Sequence, residues 1–285
     1  MFARLAVALA CLIALPALAV PPALADPLPS WNDTETKARI IAFVDAVTDP
    51  ESADFVPAPA RIATFDNDGT LWAEQPVYFQ LVFAMDMLAK RAEATPEILT
   101  SDALRAAAAG DLKGVMASGK EGLLEVVTVS HSGMSVDDFI SEAADWLATA
   151  THPETGKLYA AHLYQPMLEL LRYLRDEGFK TYIVSGGGVH FIRAFSEEAY
   201  GIPPEQVIGS VGEAEYTVTD GTPAVMKTPG IAFIDDKAGK PVAIDRVIGR
   251  RPILAGGNSD GDFEMLEWST AGDGPRLALI VHHTD

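Results

Sequence analysis

Cysteine is almost missing from this 285-residue chain: Cys11 is the only one. It sits inside an N-terminal apolar run that reads as a removable leader. The remainder then carries no thiol, which excludes disulfides and thiol chemistry in any compartment. Positive charge is also scarce, with 21 Lys and Arg against 40 Asp and Glu. Such an imbalance repels nucleic acid and anionic membrane surfaces and argues against both as partners. Beyond residue 25 no apolar run approaches the roughly 20 residues that a membrane span needs. The same stretch holds no internal repeat and no low-complexity tract.

What is present has the composition of a packed globular protein, 48% hydrophobic and 21% charged. The length suits one large domain, or a core domain carrying an inserted smaller one. Residues 1–25 combine one early cation at Arg4, an apolar run from Leu5 to Val20, and small residues at Ala23 and Ala25. That is the layout of a signal peptide cleaved near Ala25, and Pro16, Pro21 and Pro22 argue against a spanning anchor. The expected location is periplasmic or secreted. Losing Arg4 leaves 20 cations against the 40 acids, a net charge of −20. If the substrate is itself an anion, such a chain needs a local positive centre, and a bound divalent cation supplies one.

Residues 26 to 33 read as an exposed, proline-containing arm, followed by a helix over Lys37 to Val47. The first strong strand is Arg61 to Phe65, and it runs directly into the turn-forming cluster Asp66-Asn67-Asp68-Gly69-Thr70. From Tyr78 to Thr149 the pattern is helical throughout, with Ser135 and Asp138 marking one helix start. Leu163 to Glu177 forms another helix, with an apolar face and a stop at Gly178. The strand Phe179 to Val184 follows, then the loop Ser185-Gly186-Gly187-Gly188 and a helix reaching Tyr200. Glu215 to Lys227 reads as a hairpin turning at Asp220-Gly221. Lys240 to Gly249 is helical, Pro252 to Ala255 a short buried strand, Gly256 to Asp262 a polar loop, and Arg276 to His282 a last strand. Alternation of strand and helix predicts an α/β fold: a doubly wound parallel sheet with an inserted all-α cap. The expected division is a core of residues 26–73 and 157–285, with the cap at 74–156.

Sites in open parallel sheets form beyond the carboxyl ends of the strands. Three loops at that position carry chemistry. Asp66 and Asp68 bring two carboxylates one residue apart, Ser185 heads a run of three glycines, and Asn258, Ser259, Asp260 and Asp262 crowd the third loop. Closely spaced acids suit Mg²⁺, which takes oxygen ligands and retains waters. They equally suit a carboxylate nucleophile with an adjacent proton-handling acid. A hydroxyl on a Gly-rich turn lets main-chain N–H groups approach phosphate oxygens. The spacing is not G-x-G-x-x-G, which excludes a dinucleotide site.

Four stretches in order, Asp66 to Leu71, Val184 to Gly187, Lys240, and Gly257 to Asp262, resemble the haloacid dehalogenase-like (HAD) hydrolase superfamily. Within it the resemblance is to the phosphoserine-phosphatase-like phosphatases with a helical cap. It implies a HAD-type Rossmann-like core and a Mg²⁺-dependent phosphomonoesterase acting on a small phosphate ester. It also implies Asp66 as nucleophile and metal ligand, and Asp68 as general acid and then base with its carbonyl on the metal. Ser185 and the Gly186 N–H would hold phosphate oxygens. Lys240, favoured over Lys237 by its Gly-Lys-Pro helix start, would neutralise the transferring group. Asn258 stands where the family usually has an aspartate, an oxygen ligand without charge, and Asp262 would orient Lys240 or metal-held water. Halide-removing relatives usually lack the second carboxylate, so Asp68 favours phosphate chemistry. Glu74 lies one position short of the acid that reads the substrate amine in phosphoserine phosphatases.

Other readings compete. A HAD-type phosphotransferase or phosphonate hydrolase would use the same residues, and a non-catalytic exported binding protein would keep only the fold. Trp72 and Glu74 are placed to line a substrate entrance. His190, after the glycines, reads as a structural helix-start residue, and His282 and His283 as a polar chain end.

Overall fold

The computed structural model describes residues 26–284. The expected signal peptide, with Arg4 and Cys11, lies outside the described residues. The chain begins with α1 (Glu35–Thr48), whose Thr34 side chain accepts the Lys37 N–H as an N-cap. The arm before it is mostly exposed, as the sequence predicts, yet it is anchored. Leu28 is fully buried, the Trp31 indole donates to Pro166 O at 2.8 Å, and Ser30 donates twice to Glu169. Its two large apolar residues hold it down despite the prolines around them.

Strand β1 (Ile62–Phe65) is buried at all four positions, which is the mark of a central strand covered on both faces. The chain then makes five helices: α2 (Phe79–Ala94), α3 (Asp102–Ala108), α4 (Leu112–Ala117), α5 (Gly119–His131) and α6 (Val136–Thr149). Two stripes run along α2. Phe79, Phe83 and Met87 recur every fourth residue and join the main core, whereas Leu81, Ala84, Met85 and Leu88 join a second cluster with α3, α4 and α5. Helix α2 is thereby wedged between two apolar bodies.

Helix α7 (Gln165–Asp176) buries Met167, Leu170, Leu171 and Leu174 and stops at Gly178, whose φ of +79° only glycine adopts without strain. It starts later than the apolar spacing implies, because Pro166 occupies its first turn and Leu163 instead pairs with Trp72 in an antiparallel bridge. Strand β2 (Lys180–Gly188) extends through Ser185 and the glycines. After it come α8 (Val189–Arg193) and α9 (Ser196–Tyr200), two short helices in place of the one expected. Strands β3 (Val207–Thr219) and β4 (Thr222–Phe233) form a hairpin far longer than predicted. Asp220 and Gly221 turn it with φ of 52° and 81°, as a two-residue primed turn requires. The chain closes with α10 (Gly239–Ile248), β5 (Leu254–Gly257), α11 (Phe263–Thr270) and β6 (Leu277–Ile280).

The six strands lie in the order β4-β3-β2-β1-β5-β6. All neighbours are parallel except the β3–β4 pair. This confirms the α/β class with a mainly parallel sheet. Because β1, β2 and β5 point the same way, Asp66, Ser185 and Asn258 emerge at one edge. Among the described residues no helix is long and apolar enough to cross a membrane.

Candidate active site

Asp66 is the first residue past β1, and its N–H still donates to Gly256 O of β5 at 3.0 Å, so the sheet fixes its backbone. The residue is 6% exposed. Lys240, 2% exposed and set in the first turn of α10, meets it: Lys240 Nζ lies 2.6 Å from Asp66 Oδ1, 2.5 Å from Asp262 Oδ1 and 2.9 Å from Val184 O. An ammonium has three donors, and all three are used. One buried cation thus ties the ends of β1 and β2 to the loop after β5. The Lys237 side chain takes no part, since it is exposed and only the backbone of that residue is engaged, its N–H with Gly261 O and its carbonyl with the Lys240 N–H.

Burial raises the Asp66 carboxyl to about 7; Lys240 opposes that rise, while Asp262 and Asp68 add to it. For Lys240 burial acts downward, but Asp66 and Asp262 outweigh it and hold the ammonium above its usual range. Asp68, partly exposed, is also raised by burial, and the indole of Trp72 donates to its Oδ1 at 2.8 Å. Trp72 does not line an entrance. It is fully buried, stacked on Phe195 with centroids 4.5 Å apart, and acts as the fixed arm that positions Asp68. Asn67, between the two acids, is buried beneath them and accepts from Tyr200 Oη at 2.9 Å.

The second loop is a bulge. Ser185 pairs with Gly209 but the next paired residue is Gly188, with Ser210, so Gly186 and Gly187 are pushed out of the ladder. Ser185 Oγ accepts the Gly187 N–H at 3.0 Å, while Gln80 Oε1 takes the Gly188 N–H at 2.7 Å. Gly186 is exposed, and its carbonyl accepts from Ser210 Oγ at 2.8 Å. The loop is braced from both sides and presents Gly186 outward.

In the third loop Asp262 is 1% exposed and works with both oxygens. Oδ1 holds Lys240, and Oδ2 accepts the N–H groups of Asn258 and Ser259 at 2.9 and 3.0 Å. Asn258 accepts from Thr70 Oγ1 and donates to Glu74 Oε1, both at 3.1 Å, so Glu74 is a partner of the loop. A Cβ on Gly69 would overlap the Asn258 amide and the Glu74 carboxyl, and Gly69 has a φ of +78°. Gly69→Ala is therefore expected to destabilise by more than about 1 kcal/mol, a fall of roughly 2–4 °C for each kcal/mol in a chain of this size. Thermal melts of the variant check it, and an unchanged melting temperature would remove the steric role of Gly69.

A divalent metal fits these residues. Asp66 Oδ2 accepts no protein hydrogen bond among the described residues, and Asp68 and Asn258 complete a set composed wholly of oxygen donors. Among the described residues no three His, Cys, Asp or Glu side chains cluster as a metal cage. Mg²⁺ needs no such cage, since it commonly binds through one or two carboxylates and keeps its waters. Charge supports the fit as well. Asp66 and Asp262 share Lys240, and Asp68 and Glu74 lie on the same loops with no lysine or arginine bonded to them among the described residues, a surplus of acidic groups that would repel a phosphate by itself.

The sequence reading missed Asp235. It is fully buried after β4, its carboxyl oxygens have no hydrogen-bond partner of ordinary geometry among the described residues, and burial pushes it up to about 7, against the pull of Lys240 and of the nearby Ser185 backbone N–H and with the push of Asp236. The acidic pair Asp235-Asp236 just before Lys240 was the available signal. Tyr200 and Gln80 were missed too, because their contacts join segments 133 and 108 residues apart. His283 is no free chain end, since its Nε2 meets Gly69 O at 2.6 Å.

No curated protein matches the sequence. Among the solved structures that share the fold are a conserved protein of unknown function from Anaerococcus prevotii and a protein of unknown function from Bordetella pertussis. The first is 17% identical with a TM-score of 0.56, covering 88% of this chain and 86% of its own. The second is 20% identical with a TM-score of 0.50, covering 73% and 86%. At these identities they speak to the fold alone. A family model described as haloacid dehalogenase-like hydrolase matches residues 63–267, a span that takes in all three loops and Lys240, and the chain therefore belongs to that family.

Proposed function

We propose that this hydrolase is a Mg²⁺-dependent phosphomonoesterase that transfers the phosphoryl group of a small ester to Asp66 and then to water. The observation that carries the reading is the buried Lys240 Nζ, shared at 2.6 and 2.5 Å between Asp66 and Asp262 beside the Gly-rich bulge. Phosphoryl transfer asks a protein mainly for positioning and charge neutralisation. A lysine anchored by three acceptors provides a fixed charge beside the nucleophile.

Asp66 Oδ2, free of protein donors, attacks phosphorus as the ester P–O bond breaks. Asp68 gives its proton to the departing oxygen, which leaves as an alcohol. Its burial-raised carboxyl suits a group that must begin protonated. Asp68, now a carboxylate, takes a proton from water as that water attacks phosphorus. The Asp66–phosphate bond breaks and inorganic phosphate leaves with Asp66 restored. Ser185 Oγ–H and the Gly186 N–H hold the non-bridging oxygens. Mg²⁺ held by Asp66, the Asp68 carbonyl and Asn258 would supply the positive charge that lets a phosphate approach these carboxylates. Residues 74–156 act in this reading as the cap over the site. Residues 1–25 act as the export signal to the periplasm or medium.

A panel of phosphate monoesters, including p-nitrophenyl phosphate, tests the reading with Mg²⁺ and with EDTA. Hydrolysis should fall to background in EDTA and return on adding Mg²⁺. Activity indifferent to EDTA, or no ester cleaved, would overturn it.

A further inference from the structure

Lys227 on β4 is 7% exposed, yet no acid faces it among the described residues. In a chain with 40 acids and 21 cations a buried lysine without a carboxylate partner is out of place, because an uncompensated buried charge is costly. Its neighbours are apolar or basic. Nζ sits 4.5 Å from the Phe139 ring centroid of α6 and donates to His190 Nδ1 of α8 at 3.3 Å. His131, the last residue of α5, packs on Phe139 with centroids 4.7 Å apart; it is 7% exposed and its Nε2 has no partner among the described residues. The backbone of Lys227 is clamped to the helical block by Gly133 N–H to Lys227 O at 2.7 Å and Lys227 N–H to Met134 O at 2.9 Å.

The place of this cluster matters as much as its charge. Strand β3 runs past the bulge of β2 as one arm of the hairpin, and Lys227 lies opposite Ala214 on the returning arm. A Cβ on Gly212 would stand 3.9 Å from Lys227 Nζ. Ser210, two residues earlier on β3, is the residue bonded to Gly186 O. The approach of Lys227 to Gly212 and the bond of Ser210 to Gly186 thus place the ammonium and the phosphate loop along one short stretch of β3. His190, partly exposed, lies between the buried lysine and the loop that ends two residues before it.

We propose that Lys227, with the Nε2–H groups of His190 and His131, forms a second anion-binding subsite that selects phosphate esters carrying another anionic group two or three bonds from the ester oxygen. The inference rests on the phosphomonoesterase reading and deepens it to a substrate class. Since Nδ1 of His190 accepts from Lys227, the ring proton sits on Nε2 and is free to donate. Burial, followed by the charge of Lys227, pushes His190 down to about 4 and His131 to about 3, so both are neutral donors and the lysine supplies the charge. The shared chemistry is an anionic oxygen, from a carboxylate or a second phosphate.

Matched pairs separate those sources: 2-phosphoglycolate against ethyl phosphate, and ethane-1,2-diyl bisphosphate against ethyl phosphate. The wild-type enzyme should favour the anionic member of at least one pair in kcat/KM. In Lys227→Met that preference should fall about 10- to 100-fold, the range for losing a charge-assisted hydrogen bond, and Lys227→Arg should keep much of it. A preference for the neutral member in both pairs, or one that survives in Lys227→Met, would overturn the subsite. Titration calorimetry with Asp66→Asn as background separates this from failure of the catalytic reading, because it needs no turnover. 2-Phosphoglycolate or the bisphosphate should bind at least about tenfold more weakly once Lys227→Met is added, and equal affinity for both compounds would overturn the proposal even if no ester is ever hydrolysed. A thermal melt with a single transition shows that each variant is folded.

Discussion

Asp66→Asn is expected to lower kcat by about 10⁴-fold or more, the scale on which removing a nucleophile acts. The substitution is nearly isosteric, and the amide oxygen can still accept from Lys240 Nζ, now 2.6 Å from Oδ1. The backbone of residue 66 stays fixed by its bond to Gly256 O. Folding should therefore survive, and the lost rate reports chemistry. An amide oxygen is a poor nucleophile toward phosphorus, so no phosphorylated enzyme should form. Rapid-quench mass spectrometry should find one added phosphoryl group on the wild-type chain and none on the variant, and beryllofluoride should label only the wild type. Wild-type turnover in Asp66→Asn would remove residue 66 from the mechanism.

The parts legible in the sequence are those whose signal is local. Asp66 to Leu71 follows a run of β-formers within six residues, so the end of β1 and its acids could be located directly. Asp262 and Asn258 stand close together after a short apolar run, and the preference for Lys240 over Lys237 rested on a three-residue helix start. Features that depend on distant segments did not show. The parallel half of β3 was invisible because Gly209 dilutes its pattern, and that glycine is needed where the Gly187 carbonyl approaches. Trp72 looked like an entrance residue because nothing nearby shows that Phe195, more than a hundred positions later, covers its ring. Asp235 looked like one more acid in an acidic chain. Only the bond that its backbone N–H donates to Ser210 Oγ, and the closure of the sheet edge, bury it.

The same dependence on distant partners makes Lys240→Met the most disruptive change expected for stability. Methionine matches the stem of lysine and leaves Val184 O, Asp66 Oδ1 and Asp262 Oδ1 without their shared donor. Removing one member of a buried charged group costs about 3–5 kcal/mol, so the melting temperature should drop by roughly 10 °C. Turnover should fall about 10²- to 10³-fold, as when a preorganised charge at the transition state is removed. Mg²⁺ separates the electrostatic part of that loss from the packing part. Without Lys240 the carboxylates of Asp66 and Asp262 are less neutralised, so a divalent ion at Asp66 gains attraction and its stabilising effect on folding increases. Loosening of Asp262, which also holds the N–H groups of Asn258 and Ser259, acts the other way by blurring the ligand loop. At contact range the charge effect outweighs the loosening, and the rise in melting temperature on adding saturating Mg²⁺ should be larger in Lys240→Met than in the wild type. A smaller rise would mean that Lys240 serves the site chiefly by holding the loop of Asn258 in place, and its role as a charge beside the nucleophile would have to be given up.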